Sequence, residues 1–129
     1  MRLLLDTHVL IWTLGLTHHL PLRIKRMISG AENEIWFSAV SIFEIAAKRS
    51  TGRRNLPPVT SDFALIRAEQ AGFTAIGVSV EHAAAVEGLA LSHADPFDRL
   101  LLAQARVEGL RLVTHDERLA GFDDTIILF

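Results

Sequence analysis

The stretch Leu3-Leu4-Leu5-Asp6-Thr7-His8-Val9-Leu10-Ile11-Trp12 sets the architecture of this chain. Three leucines in a row ending at an acid suit a strand buried on both faces, because a strand with one wet face alternates instead. Asp6 and Thr7 then offer side-chain oxygens to the free amides of a first helical turn. Val9, Leu10, Ile11, Trp12 and Leu14 supply a short buried helix that stops near Gly15. The same grammar returns late in the chain: an apolar strand over residues 110–114, Asp116 just beyond it, and a short helix over 117–121.

Working outward, Pro21 opens a helix with Leu22, Ile24, Met27 and Ile28 on one side and Arg23, Lys25 and Arg26 on the other, so residues 9–28 form a helical hairpin. Ile35, Trp36 and Phe37 form the next strand, and Ser38 caps a helix carrying Val40, Ile42, Phe43, Ile45 and Ala46 to about Arg49. Pro57 and Pro58 mark the one obvious connector. A helix over 62–71, a short strand over 75–78 and a small-residue helix over 80–91 follow. Asp95-Pro96-Phe97-Asp98 is a strong helix start, with a cap, a proline in the first position and an acid in the first turn, and its helix runs to Gly109. Residues 125–128 give a last strand. Alternating strands and helices predict an α/β domain with a mostly parallel central sheet of four or five strands, covered on both faces.

With 129 residues, half of them hydrophobic, the chain has room for one compact domain over residues 1–129 and hardly for two. The absence of cysteine excludes a disulfide scaffold, a thiolate zinc site and a Cys nucleophile. No apolar run approaches the roughly 20 residues needed to cross a bilayer, and Arg2 leads into Leu3 without a signal-peptide layout. A soluble cytoplasmic protein with no membrane partner is the expectation. A net charge of −2 argues against holding nucleic acid by bulk positive charge.

Four acids need an explanation. Asp6 and Asp116 each follow a strand of one parallel sheet, and open α/β sheets bind ligands at the carboxyl edge near the point where strand order reverses. Glu44 sits among apolar Phe43 and Ile45, three and four residues after Ser41 and Val40, and an acid in such a face needs a partner. Asp98 opens its helix at the same edge. Each acid also has a plainer reading: Asp6, Asp98 and Asp116 as helix-start residues, and Glu44 as the partner of Lys48 one turn later. Together, four close carboxylates would raise each other's pKa values unless a cation neutralised them, and the oxygen donors suit Mg²⁺ or Mn²⁺.

The blocks Leu4-Leu5-Asp6-Thr7-His8-Val9-Leu10-Ile11-Trp12, Ser38-x-x-Ser41-x-x-Glu44-Ile45-x-x-Lys48 with Gly52 beyond, His93-x-Asp95-Pro96-Phe97-Asp98-Arg99-Leu100-Leu101-x-Ala103-Gln104-Ala105 and Leu112-Val113-Thr114-x-Asp116 resemble, in this order and over nearly the whole chain, PIN-domain proteins, most of all the VapC ribonuclease toxins of prokaryotic toxin-antitoxin pairs. The resemblance implies a PIN-like α/β/α sandwich in which Asp6, Glu44, Asp98 and Asp116 form the acidic metal site and Thr114 is a polar neighbour. It also implies endonucleolytic cutting of RNA, a cognate antitoxin protein and a homodimer built partly on the helical hairpin. Phe43 departs from the pattern, since relatives often carry Trp there. Asp95 reads as a cap.

Metal-assisted phosphodiester hydrolysis needs no side-chain nucleophile, which fits a chain without Cys or Tyr. Lys48, Arg49, Arg53 and Arg54 make a local cationic run suited to phosphates, or else a solvated charged face. Arg99 is placed to touch phosphate or to orient a site carboxylate. No His pair has helical zinc spacing, and there is no His-Glu-x-x-His. Trp12 and Trp36 lie inside apolar runs and read as core. Two further readings stand beside this one: a PIN-like binding module without catalysis, and a phosphoacceptor receiver domain, which would want a Lys where Thr114-His115-Asp116 stands. Setting four of the 15 acids aside for the metal leaves 11 against 13 cations, a balance open to local contact with RNA.

Overall fold

Five strands place the leucine run at the centre of the molecule. In the computed structural model, which describes residues 1–52, 56–90 and 95–129, these are β1 (Arg2–Leu5), β2 (Glu34–Ser38), β3 (Thr74–Ile76), β4 (Arg111–Thr114) and β5 (Ile126–Leu128). They form one sheet in the order β3-β2-β1-β4-β5, and every neighbouring pair is parallel. Leu4 lies opposite Trp36 on one side and Leu112 on the other.

Helices cover both faces: α1 (Thr7–Gly15), α2 (Leu22–Ser29), α3 (Ala39–Ser50), α4 (Ser61–Gln70), α5 (Val80–Ala85) and α6 (Pro96–Glu108). Leu3 and Leu5 point to a core shared with Val9, Leu10, Ile24, Ile45 and Ala64, so α1 to α4 lie on that face. Leu4 points the other way, to Leu89, Leu101, Leu102 and Leu112. All three leucines are fully buried, the physical reason why β1 shows no alternation. Helix α6 is closed by Gly109 at φ 69°, a left-handed position that favours glycine.

Some boundaries differ from the sequence expectation. β3 ends at Ile76, and the Gly77 carbonyl accepts from Gln104 Nε2 (3.0 Å) across to α6. The small-residue helix stops at Ala85 and tightens into a single 3-10 turn at Val86–Gly88, with Leu89 N donating to Val86 O (3.2 Å) before residues 91–94, which lie outside the described part. The short helix after Asp116 is likewise one 3-10 turn, Glu117–Leu119.

This topology fixes where a site can be. From β1 the chain runs outward to β2 and β3, then crosses back to β4 on the opposite side of β1. The strand order therefore reverses between β1 and β4, the place at the carboxyl edge where open α/β sheets form their ligand crevice. There Asp6 N donates to Val113 O at 3.1 Å, joining the two strand ends.

Candidate active site

Asp6 occupies that reversal point, and two elements hold its carboxylate. Oδ1 accepts from Val9 N at 2.9 Å, which caps α1, and Oδ2 accepts from the Thr114 hydroxyl at the end of β4. Thr114 Oγ1 in turn accepts from Asp116 N at 3.1 Å, so one buried threonine links Asp6 to the Asp116 turn. Burial pushes the Asp6 carboxyl up from 3.8 to about 6; the Thr114 and Val9 hydrogen bonds pull against that shift, and the Glu44 and Asp116 charges add to it.

Glu44 reaches the site from α3, capped by Ser38 through Val40 N (2.9 Å). Thr7 Oγ1 lies 2.6 Å from Glu44 Oε1 and 3.0 Å from Ser41 Oγ. A hydroxyl has one hydrogen, so Thr7 donates to the carboxylate and accepts from Ser41. Glu44 Oε2 accepts from Lys48 Nζ at 2.5 Å, one helical turn on, and both residues are buried, at 4% and 8% exposure. Lys48 thus turns inward as counter-ion to Glu44, with its ammonium 5.6 Å from the Phe97 ring centre, and leaves the exposed cationic run. Arg49 is exposed; Arg53 and Arg54 lie outside the described residues.

Asp116 is held by Arg118 in a two-point clasp, with Nε to Oδ1 at 3.0 Å and Nη2 to Oδ2 at 2.9 Å. That bond raises the Arg118 pKa above its ordinary value, and the Asp116, Asp98 and Asp95 charges raise it further. Arg118 therefore stands in the field of three acids. Asp95 is the α6 cap, accepting from Phe97 N (2.8 Å) and Asp98 N (3.3 Å), while Arg99 Nη2 donates to the Val86 carbonyl at 3.3 Å. The exposed Phe43 ring packs 5.9 Å from Phe97, where the expected Trp would stand.

The acids are brought together electrostatically: Glu44 and Asp116 both act on Asp6, while Asp98 and Asp116 share Arg118. Among the described residues no three acid or imidazole groups already surround one point as ligands. The donor set nevertheless fits a hard divalent cation. It is all oxygen, and it holds a carboxyl whose pKa is pushed up first by burial and further by two acidic neighbours, a charge penalty that a bound cation would lower. Sequence reasoning gives Thr7 only a capping role, which Asp6 fills instead, and gives Ser41 and Arg118 none. For Thr7 and Ser41 the signal was their place beside Asp6 and Glu44 in the quoted blocks.

A parallel α/β/α sheet with carboxylates gathered at its reversal point defines a class of acid-site proteins. A profile of the PIN domain family matches residues 3–125. The chain is 33% identical over 117 residues to Ribonuclease VapC22 of Mycobacterium tuberculosis, covering 90% of this chain and 88% of that protein. Its fold is similar to VapBC2 from Rickettsia felis bound to a promoter DNA fragment (TM-score 0.68, 16% identity, 100% and 98% of the two chains). It is also similar to VapC20 of M. tuberculosis, a sarcin-ricin loop cleaving toxin (TM-score 0.54, 19% identity, 95% and 97%). The chain belongs to the PIN-domain family, which removes the receiver-domain reading.

Proposed function

We propose that this protein is an endoribonuclease toxin that hydrolyses RNA phosphodiester bonds at the Asp6 crevice with Mg²⁺ or Mn²⁺. It would act in the cytoplasm as a homodimer restrained by a cognate antitoxin. The observation that carries the reading is Asp6 itself, fixed by Val9 N and Thr114 between two strand ends and pushed to about 6 beside Glu44 and Asp116. A binding module without catalysis would need Asp6 only as the α1 cap; the Glu44 and Asp116 charges acting on the same carboxyl favour catalysis.

Asp6, Glu44, Asp98 and Asp116 are the residues that would hold the cation. When bound, it would supply water activation and stabilise charge on the transferring phosphoryl group. The chain's own residues set the stage for this. Thr114 and Thr7 each fix one carboxylate oxygen and so leave the other edges of Asp6 and Glu44 defined. Lys48 and Arg118 pair with Glu44 and Asp116 and offset part of the negative charge gathered there. Arg49 and Arg99, with Arg53 and Arg54, would meet the phosphates of the bound strand; Asp95 holds the α6 start that presents Asp98. Among the described residues no helix is long and apolar enough to cross a membrane. Leu22 on α2 and Phe63 and Ile66 on α4 expose apolar surface on which the antitoxin or a second copy could dock.

Two measurements bear on this. Purified protein stripped of any antitoxin should cut RNA with Mg²⁺ or Mn²⁺ and stop when EDTA is added; cutting that survives EDTA, or none with either ion, sinks the reading. Mg²⁺ should also raise the melting temperature of the wild type more than that of Asp98→Asn, because removing a ligand weakens binding to the folded state. Equal shifts would take Asp98 out of the metal site.

A further inference from the structure

Four of the chain's six histidines gather around one indole. Trp12, on α1, packs against the core and is only half-buried. His19 stacks on it with ring centres 4.9 Å apart and planes at 19°, and His18 lies 4.3 Å from His19 at 36°. His8 and His115 approach the same indole at 5.7 Å and 5.6 Å, the latter edge-on, and Phe129 closes the group at 6.4 Å. His18, His19 and His115 are exposed, so this is a ladder of planar rings facing water and not a piece of the interior.

Its position ties it to the crevice. His8 lies two residues after Asp6, and His115 stands between Thr114 and Asp116, so the two strand ends that carry these acids also carry the foot of the ladder. Among the described residues no three such groups stand as ligands around one ion, and the rings meet as faces and edges. An exposed ladder of π-faces suits an unstacked planar ring. Single-stranded RNA offers one at every nucleotide, and stacking of this kind is tolerant of sequence.

Building on the proposed ribonuclease reading, we propose that Trp12, His19 and His18 form a stacking step that receives a nucleobase of the single strand lying next to the scissile phosphate. Each stacked base contributes to affinity, and the ladder would orient the strand as it enters the crevice. Trp12 and its histidines are thus substrate-positioning residues, while the carboxylates carry the chemistry.

The test uses metal-free protein in EDTA at one fixed salt concentration, in a Trp36→Phe background so that Trp12 is the sole indole. A short single-stranded oligoribonucleotide should quench Trp12 fluorescence. An abasic ribose-phosphate strand of the same length should bind at least about fivefold more weakly, and the double substitution His18→Ala, His19→Ala should weaken RNA binding about tenfold. With Trp36 retained and Mg²⁺ present, that double variant should raise KM about tenfold, with the loss falling on KM rather than kcat. Equal binding of the abasic strand, unchanged affinity of the double variant, or an indole blind to RNA would each overturn the stacking step. Any of these alongside normal cutting leaves the ribonuclease reading standing; a wild type that neither binds nor cuts RNA removes both.

Discussion

Asp6→Asn abolishes RNA cutting, by at least about a hundredfold, and at pH 7.5 yields a protein more stable than the wild type. The two effects share one cause. The carboxyl is buried and its pKa is pushed from 3.8 to about 6, so at neutral pH the fold holds a charge it would rather not hold. A rise of that size corresponds to roughly 3 kcal/mol. Between about pH 4 and 6 the folded chain binds more protons at Asp6 than the unfolded chain, so wild-type stability from this group falls as pH rises through that window and stays low above it. An amide carries no such charge penalty. It can still cap α1 by accepting from Val9 N, while its nitrogen faces Thr114. Loss of the charge-assisted Thr114 bond offsets part of the gain. The melting temperature of the variant should therefore exceed the wild type's by several degrees at pH 7.5, with the difference shrinking towards zero near pH 4. A variant that melts lower at both pH values would contradict the burial cost assigned to Asp6.

Lys48→Met destabilises the protein by about 3 kcal/mol, and Mg²⁺ recovers much of the loss. The substitution keeps the aliphatic volume against Phe97 but leaves Glu44, at 4% exposure, without its cation. Thr7 still donates to one oxygen, which is not enough to offset a buried charge. Adding Glu44→Gln removes that charge, so the double variant should regain most of the stability, as measured by urea unfolding without metal. The Mg²⁺ arm separates two roles for Glu44. Recovery by Mg²⁺ in Lys48→Met, and none in the double variant, marks Glu44 as a metal ligand. No recovery in either would mean that the pair is structural alone.

The parts of this architecture that could be read from sequence are those where one residue type meets one local demand. Leu3, Leu4 and Leu5 had to be a doubly covered strand, because a run of three apolar side chains points to both faces. Asp95-Pro96 with Asp98 had to start a helix, since the free amides there need an acceptor and proline lacks the amide that would go unused. Asp6 and Asp116 could be placed at one edge because strand ends are fixed by the parallel alternation. Other features depend on side-chain direction, which sequence does not carry. Lys48 looked like part of a basic run with Arg49, yet one stands inward at Glu44 and the other outward, a distinction of about 100° around a helix. Its spacing of four from Glu44 allowed the pair but could not choose it over an open face.

Trp12 shows the same limit. Its apolar neighbours suggest core, and it does pack there, yet it is half-buried and also gathers His8, His19 with His18 behind it, and His115 from about a hundred residues away. The spacing of four between His8 and Trp12 was the one local hint. Arg118 was invisible for another reason: a 3-10 turn after Asp116 brings a residue two positions on back to the carboxylate, and nothing in Asp116-Glu117-Arg118 announces that turn. Helix α5 was read too long because its alanines favour helix, while Gly88 and the tightened turn before it end the element early.

The most direct measurement is to sequence RNA 5′ ends after brief induction of the wild type beside Asp6→Asn. The expected result is a set of discrete new ends in the wild-type sample that the variant lacks at equal expression. The same ends in both samples, or no new ends with the wild type, would contradict the placement of a ribonuclease centre at the reversal between β1 and β4.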